Sequence, residues 1–440
     1  MNDSYRLKNR KDYMKKLIAF QDTEPVKIVT GIRRCGKSSL LKLMTAHLKE
    51  TGIADEQIVE MNFENYEFKD MSGDEVYHYV KERIIPGKRM YLFFDELQRV
   101  TAWEDTINAF RVEFNCDIYV TGSNAWLFSS EYSTYLSGRY VEIKMLPLSF
   151  SEFLSFHDFE VRDTKTVTGK TKKQIYDASG EHYELREMFD AYIWFGGMPG
   201  LSEAGLVQER ALSLLDGIYS TVVVRDILER EKRRGQKQVT DPALLRKIVL
   251  FLADSIGSNV SVSSIGNTLV NEGLLEEGKR RGLPSVHTVQ AYVNALLESY
   301  FFYEIKRFDI KGKDYLRTLG KYYIVDIGLR NYLLGFRNRD SGHILENLVY
   351  FELLRRGYDV AIGKIGDKEI DFIAVTANDK KYIQVTESML SPDVRERELE
   401  PLKKVRDNYD KMILSLEPGL EESYDGIRSV DLLAWLLEDR

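Results

Sequence analysis

The chain has 440 residues, 43% of them hydrophobic and 30% charged, with a formal net charge of −7. That length exceeds what one hydrophobic core fills, so two to four domains are expected, and the composition excludes a chain dominated by disorder. The negative charge excludes a surface that traps polyanions throughout, so any DNA contact must be regional.

Two cysteines, Cys35 and Cys116, show neither a pairing pattern nor metal-ligand spacing. No apolar run approaches the roughly 18 residues of a membrane span. The opening MNDSYRLKNRKDYMKK lacks the apolar stretch of a signal peptide. A cytoplasmic protein without membrane contact is expected.

Over residues 26–150, short apolar runs alternate with amphipathic helical stretches, which predicts a parallel α/β sheet. Strands are expected at 26–30, 58–63, 90–95, 118–121 and 140–145. Directly after the first comes GIRRCGKS, residues 31–38, which satisfies the phosphate-loop pattern between a buried strand and a helix. Gly31 and Gly36 let backbone amides close around phosphates, and the following helix adds its positive end. Lys37 is expected to reach the β and γ phosphates of ATP, and the Ser38 hydroxyl to ligate magnesium. Ile32 and Ser39 complete the nucleotide contacts. Arg33 and Arg34 either supplement phosphate binding or face solvent; Cys35 reads as a loop filler or, more sharply, as a redox sensor.

MYLFFDELQRV places Asp95 and Glu96 at the carboxyl end of a buried strand, Asp95 lying 58 positions after Lys37. Asp95 is expected in the magnesium shell and Glu96 as the general base that polarises the attacking water. In IYVTGSNA, Thr121, Ser123 and Asn124 follow a further strand, either as a polar sensor near the γ-phosphate or as an ordinary turn. Arg139, in STYLSGRYVEI, reads as an arginine finger for a neighbouring subunit of a homo-oligomer or as a plain exposed arginine.

Residues 151–238 read as a small helical lid carrying the turn FGGMPG, residues 195–200, and end in a charged run at 229–237, either a solvated linker or a binding surface. Residues 239–330 predict a winged helix-turn-helix: two short helices, then the strand-like FFYEIKRFDI and KYYIVD. Its expected reader helix, 285–299, has no Arg or Lys and offers only His287, Gln290 and Asn294 to bases. Lys279, Arg280 and Arg281 before it, and six Lys/Arg against three Asp/Glu over 300–321, suit phosphate contacts. The module therefore either touches DNA or packs on a partner. Residues 331–440 predict a separate α/β module.

Together these strings, GIRRCGKS, FFDELQ, TGSNA, LSGR and LPLSFSEF, resemble one family of bacterial and archaeal AAA-type ATPases, related to signalling ATPases. The resemblance covers nearly the whole chain. It implies an α/β P-loop NTPase core (1–150), a helical lid (151–238), a winged helix-turn-helix (239–330) and a restriction-endonuclease-like domain (331–440). It also implies that the turn containing Gly197, Met198 and Pro199 approaches the adenine. The last module resembles a PD-(D/E)xK nuclease core, with Glu346 on a helix, Asp371 closing one strand and Gln384 on the next. Thr386 stands where the pattern needs lysine, unless Lys364, Lys381 or Lys403 substitutes. A degraded nuclease that does not cleave is expected. Three readings follow: a nucleotide-dependent switch acting on DNA or protein, an ATP-regulated nuclease or defence effector, and a nucleotide-binding scaffold. Glu96 speaks against the scaffold and Thr386 against the nuclease.

Overall fold

The computed structural model describes residues 7–123, 138–165, 171–228, 239–271, 285–310, 312, 314–337 and 340–438. Internal packing gathers them into two compact units, one of residues up to 146 with 298–300, the other of 147–297 with 301–440. Among the described residues no helix is long and apolar enough to cross a membrane.

The first unit is built on a parallel sheet of β1 (Val26–Thr30), β2 (Ile58–Asn62), β3 (Met90–Asp95), β4 (Cys116–Gly122) and β5 (Tyr140–Lys144), in the order β2-β3-β4-β1-β5. Its central strands are largely apolar and buried along their length, because crossover helices cover both faces of such a sheet. On one face Ile28, Met61, Leu92, Phe94 and Val120 pack against Val76 and Val80 of α3 (Gly73–Lys81) and Ile107 and Phe110 of α4 (Trp103–Glu113). Ser72 and Glu75 form a capping box that starts α3, satisfying amides the helix leaves open. Strand order reverses between β1 and its neighbours β4 and β5, which opens a crevice at the carboxyl ends of the strands.

At the amino end of the same sheet, the Lys27 ammonium and the Asp117 carboxylate pair in full burial, joining β1 to β4. Asp117 also accepts from the backbone N–H of Asp22 and from the Tyr119 hydroxyl, and Lys27 donates to the Thr23 carbonyl. Burial lowers the Lys27 pKa while Asp117 works to raise it. Residues 298–300 join this unit through Tyr300, a buried residue at φ 58° whose hydroxyl lies 3.4 Å from Glu142, which also accepts from Thr30 on β1.

The second unit departs from the expected helical lid. Between α5 (Phe150–Phe156) and α6 (Leu185–Phe195) lies an antiparallel sheet of β6 (Glu160–Lys165), β7 (Thr171–Tyr176) and β8 (His182–Tyr183). The turn after α6 is held from below: Asp326 is fully buried and accepts from the N–H groups of Gly197 at 2.6 Å and Leu329 at 3.0 Å. Burial pushes its carboxyl up to about 6, against those amides. Gly196, at φ 79°, has no room for a side chain, since a Cβ there would sit 2.3 Å from Asp326 Oδ1.

After α7 (Gln208–Tyr219), the three helices α8 (Pro242–Asp254), α9 (Val262–Asn271) and α10 (Val286–Glu298) precede the antiparallel pair β10 (Phe302–Asp309) and β11 (Asp314–Ile324), with the two-residue β9 (Asn259–Val260) paired to β11. The expected boundary at 330 falls inside one continuous sheet, because β10 also pairs with β12 (Asp359–Ile365) of the last module. Helices α11 (Ile327–Leu334) and α12 (Ser341–Arg355) follow the ribbon, and β13 (Lys368–Val375), β14 (Lys380–Ser388) and β15 (Asp410–Glu417) continue the last module.

The Lys27 and Asp117 pair makes a testable case. Removing one partner strands a buried charge, so Asp117→Ala is expected to cost about 3–5 kcal/mol in urea unfolding. Adding Lys27→Met to it is expected to restore at least about 1 kcal/mol; strictly additive losses would reject the coupling.

Candidate functional site

The sequence from Thr30 to Ser38 bends sharply at Gly31, where φ is 142° and a Cβ would lie 2.1 Å from the Met145 carbonyl oxygen. The loop then enters α2 (Lys37–Glu50) through Gly36 at φ 101°, with no side-chain cap on the first turn and no acidic residue in it. The amides opening α2 are therefore presented to an anion rather than satisfied by the chain. Lys37 is buried, and its ammonium donates to the carbonyls of Gly31 at 3.0 Å and Ile32 at 3.2 Å. Among the described residues no carboxylate pairs with it. A buried cation held by neutral carbonyls beside open amides fits a phosphate chain.

Arg10 braces the loop from outside the motif. It is buried just before α1 (Lys11–Ala19), and its Nη1 donates to the carbonyls of Leu146 at 2.7 Å and Cys35 at 3.3 Å. Cys35 is itself fully buried, and burial pushes its thiol up, away from the thiolate that redox sensing needs. Arg33 turns to Glu64 at 2.5 Å, a carboxylate shared with Arg99, whereas Arg34, at φ 65°, and Ser39 are exposed.

Across the crevice β3 ends in Asp95. Asn62 Nδ2 donates to Asp95 Oδ2 at 2.9 Å, and the Thr121 hydroxyl donates to Asp95 Oδ1. Burial raises the Asp95 pKa, while the hydroxyls of Thr121 and Ser38 pull it down, so the loop serine lies within reach of this carboxylate. Serine and aspartate on the two sides of the crevice supply hard oxygen ligands, which fits a magnesium ion.

Glu96 stands in the left-handed region at φ 58°, a conformation a non-glycine residue keeps only when its surroundings enforce it. Its N–H donates to Thr121 Oγ1 at 2.9 Å. Its carboxylate accepts from the Ser123 hydroxyl at 3.2 Å and from the Gln98 side-chain amide. Ser123 thus touches the expected base directly, while Asn124 lies outside the described residues.

Arg139 is exposed at the start of β5, its carbonyl accepting from Val26 N–H at 3.0 Å. Because β5 runs parallel to β1, this is the opposite end of the sheet from the phosphate loop, about 15 Å away along five residues. Pro199 belongs to the second unit, where it opens a short 3-10 helix, Pro199–Ala204, after the turn held by Asp326.

In the last module Glu346 accepts from Lys321 at 3.1 Å and from the Tyr323 hydroxyl at 2.8 Å, and Lys321 also pairs with Glu369 at 2.9 Å. Asp371 accepts from Val385 N–H, and Gln384 bridges the Asp371 N–H and Glu398. Burial and then Glu346 raise Asp371 well above the usual carboxylate range. Burial works to lower Lys321, but Glu346, Asp371 and Glu369 outweigh it. The cation at these carboxylates therefore comes from β11. Lys381 and Lys403 pair elsewhere, with Asp379 and with Glu396 and Asp425.

Sequence reading passed over Arg10, Asn62, Gln98 and Lys321. Gln98 carried a signal, its place within FFDELQ; the others lie far in sequence from the groups they hold.

Residues 23–154 match a family model described as an AAA domain, and residues 186–340 match a domain of unknown function, DUF8612. The chain is similar to the Walker-type ATPase PABY2304 of Pyrococcus abyssi, with 16% identity and a TM-score of 0.45 over 74% of this chain and 95% of that one. It is also similar to the uncharacterized protein MJ1544 of Methanocaldococcus jannaschii, 29% identical over 94% of this chain and 86% of that one. An uncharacterized protein of Haemophilus influenzae is 37% identical over 432 residues, 98% of each chain. The protein belongs to the family of this Haemophilus influenzae relative, and its amino-terminal part is a P-loop AAA-type ATPase domain.

Proposed function

We propose that the protein is an ATP hydrolase working as a nucleotide-dependent switch. The observation that carries this reading is the meeting of Ser38, Asp95, Thr121 and Glu96 across one crevice, with the uncapped start of α2 and the buried Lys37 beside them. Lys37 and the loop amides hold the β and γ phosphates, and Ser38 and Asp95 hold magnesium. Bound there, magnesium neutralises charge developing on the phosphate oxygens. Glu96 takes a proton from water, whose oxygen attacks the γ-phosphorus as the bond to the bridging oxygen of ADP breaks.

The carboxylates of the last module read as structural. Lys321 already pairs with both Glu346 and Glu369, and Asp371 and Gln384 are engaged with backbone and with each other. The helices and β-ribbon of 239–330 have the order of a winged helix, and His287 and Asn294 on α10 are exposed. DNA is the partner we assign to that face, bound through phosphates more than bases.

Lys37→Ala is expected to abolish ATP retention by the purified protein, and Glu96→Gln to keep retention while turnover falls by about a hundredfold or more. Undiminished binding in the first, or equal turnover in the second, would remove the corresponding assignment. With Arg139 at the far end of the sheet, its phosphate target belongs to another copy of the chain. Mixing Arg139→Ala with Glu96→Gln should then restore part of the turnover, and no recovery in a mixture shown to co-assemble counts against action between subunits. Duplex DNA should raise ATP turnover, with the effect fading as salt rises from about 50 to 200 mM; turnover indifferent to DNA rejects DNA as the partner.

A further inference from the structure

Gln98 follows Glu96 by two residues, in the single 3-10 turn Leu97–Arg99. Its Nε2 donates both to Glu96 Oε2 and to Ser123 Oγ, the latter at 3.3 Å, while Ser123 Oγ donates to the same carboxylate oxygen. These three side chains close a ring that fixes the amide, since a carboxylate requires the NH2 end to face it. The amide oxygen is thereby turned away from Glu96 Oε2. That oxygen, Oε1, is shielded from solvent and has no hydrogen-bond donor among the described residues. An amide oxygen left without a donor in such a place costs about 1–3 kcal/mol, unless its donor arrives with the reaction.

We propose that Gln98 Oε1 is an acceptor for the attacking water, so that Gln98 is a second catalytic residue beside Glu96. The inference rests on the ATP hydrolase reading. One hydrogen of the water is given to the Glu96 carboxylate and becomes its proton; the other is held by Gln98 Oε1, which gains and loses nothing. The water's oxygen lone pair is thereby directed at the γ-phosphorus, and the bond that breaks joins that phosphorus to the oxygen leaving with ADP. Ser123 Oγ positions both side chains without touching the water.

The test compares Gln98→Met, which keeps length and removes both polar atoms, in the natural chain and in the Glu96→Gln chain. Single-turnover hydrolysis and the dissociation constant for ATP are measured for each. In the natural chain the rate is expected to fall by about a hundredfold, with ATP affinity changed by less than about threefold. In the Glu96→Gln chain the same substitution is expected to cost less than about threefold, because the water it would hold has already lost its base. A full loss in both backgrounds, unchanged turnover, or a loss of ATP affinity that accounts for the fall overturns the proposal. Gln98→Asn, which keeps an amide but withdraws it by one methylene, serves if the methionine variant does not fold; wild-type turnover there overturns it equally. A natural chain that binds ATP without hydrolysing it would instead count against the ATP hydrolase reading, a separate outcome.

Discussion

The hydroxyl of Thr121 carries the junction on which the crevice of the first unit depends. It donates to Asp95 Oδ1 and accepts the N–H of Glu96, so one fully buried atom ties the ends of β3 and β4 and serves two successive acidic residues in opposite senses. The arrangement explains how Glu96 keeps a left-handed backbone. Turning the chain back after Asp95 aims the Glu96 N–H at β4, and the hydrogen bond formed there offsets the roughly 1–3 kcal/mol that such a conformation costs. A residue of the same shape without a hydroxyl would leave both a carboxylate oxygen and an amide without their partner.

The same logic runs along the sheet in two directions. At the carboxyl ends, polar groups are left with open valences: amides at the start of α2, a lysine held by carbonyls alone, an aspartate raised by burial. At the amino ends the polar groups satisfy one another, Lys27 pairing with Asp117 and donating to Thr23, and Asp117 accepting from Tyr119 and from the Asp22 N–H. A site that handles highly charged phosphates needs the first kind of polarity. The second kind holds the strands in register beneath it.

How much of this could be read from the chain follows from where each signal lies. The strands Val26–Thr30 and Met90–Asp95 were legible because a strand buried on both faces is a largely apolar run, interrupted in the first only by Lys27, and the loop and the acidic pair because their chemistry demands fixed residues in a fixed context. The sheet of β6 to β8 was not legible. Its first strand, EVRDTK, is mostly exposed and polar on both faces, so it offers neither alternation nor an apolar run. Arg10, Asn62 and Lys321 were missed for a different reason. Each acts on a group 25 or more positions away, and one sequence gives no measure of such pairings.

Lys321 also changes how the carboxyl-terminal half is understood. The nuclease pattern expected of the last module needs a lysine at 386, where the chain has Thr386. Yet the carboxylates are not left without a cation, because β11 inserts one from the β-ribbon, nearly fully buried between Glu346 and Glu369. Burying such an ammonium is tolerable only if the pairing persists, so the ribbon cannot leave the module without exposing three charges at once. The pairing of β10 with β12 makes the same demand through backbone hydrogen bonds. Ribbon and last module are therefore held together in one nine-stranded sheet.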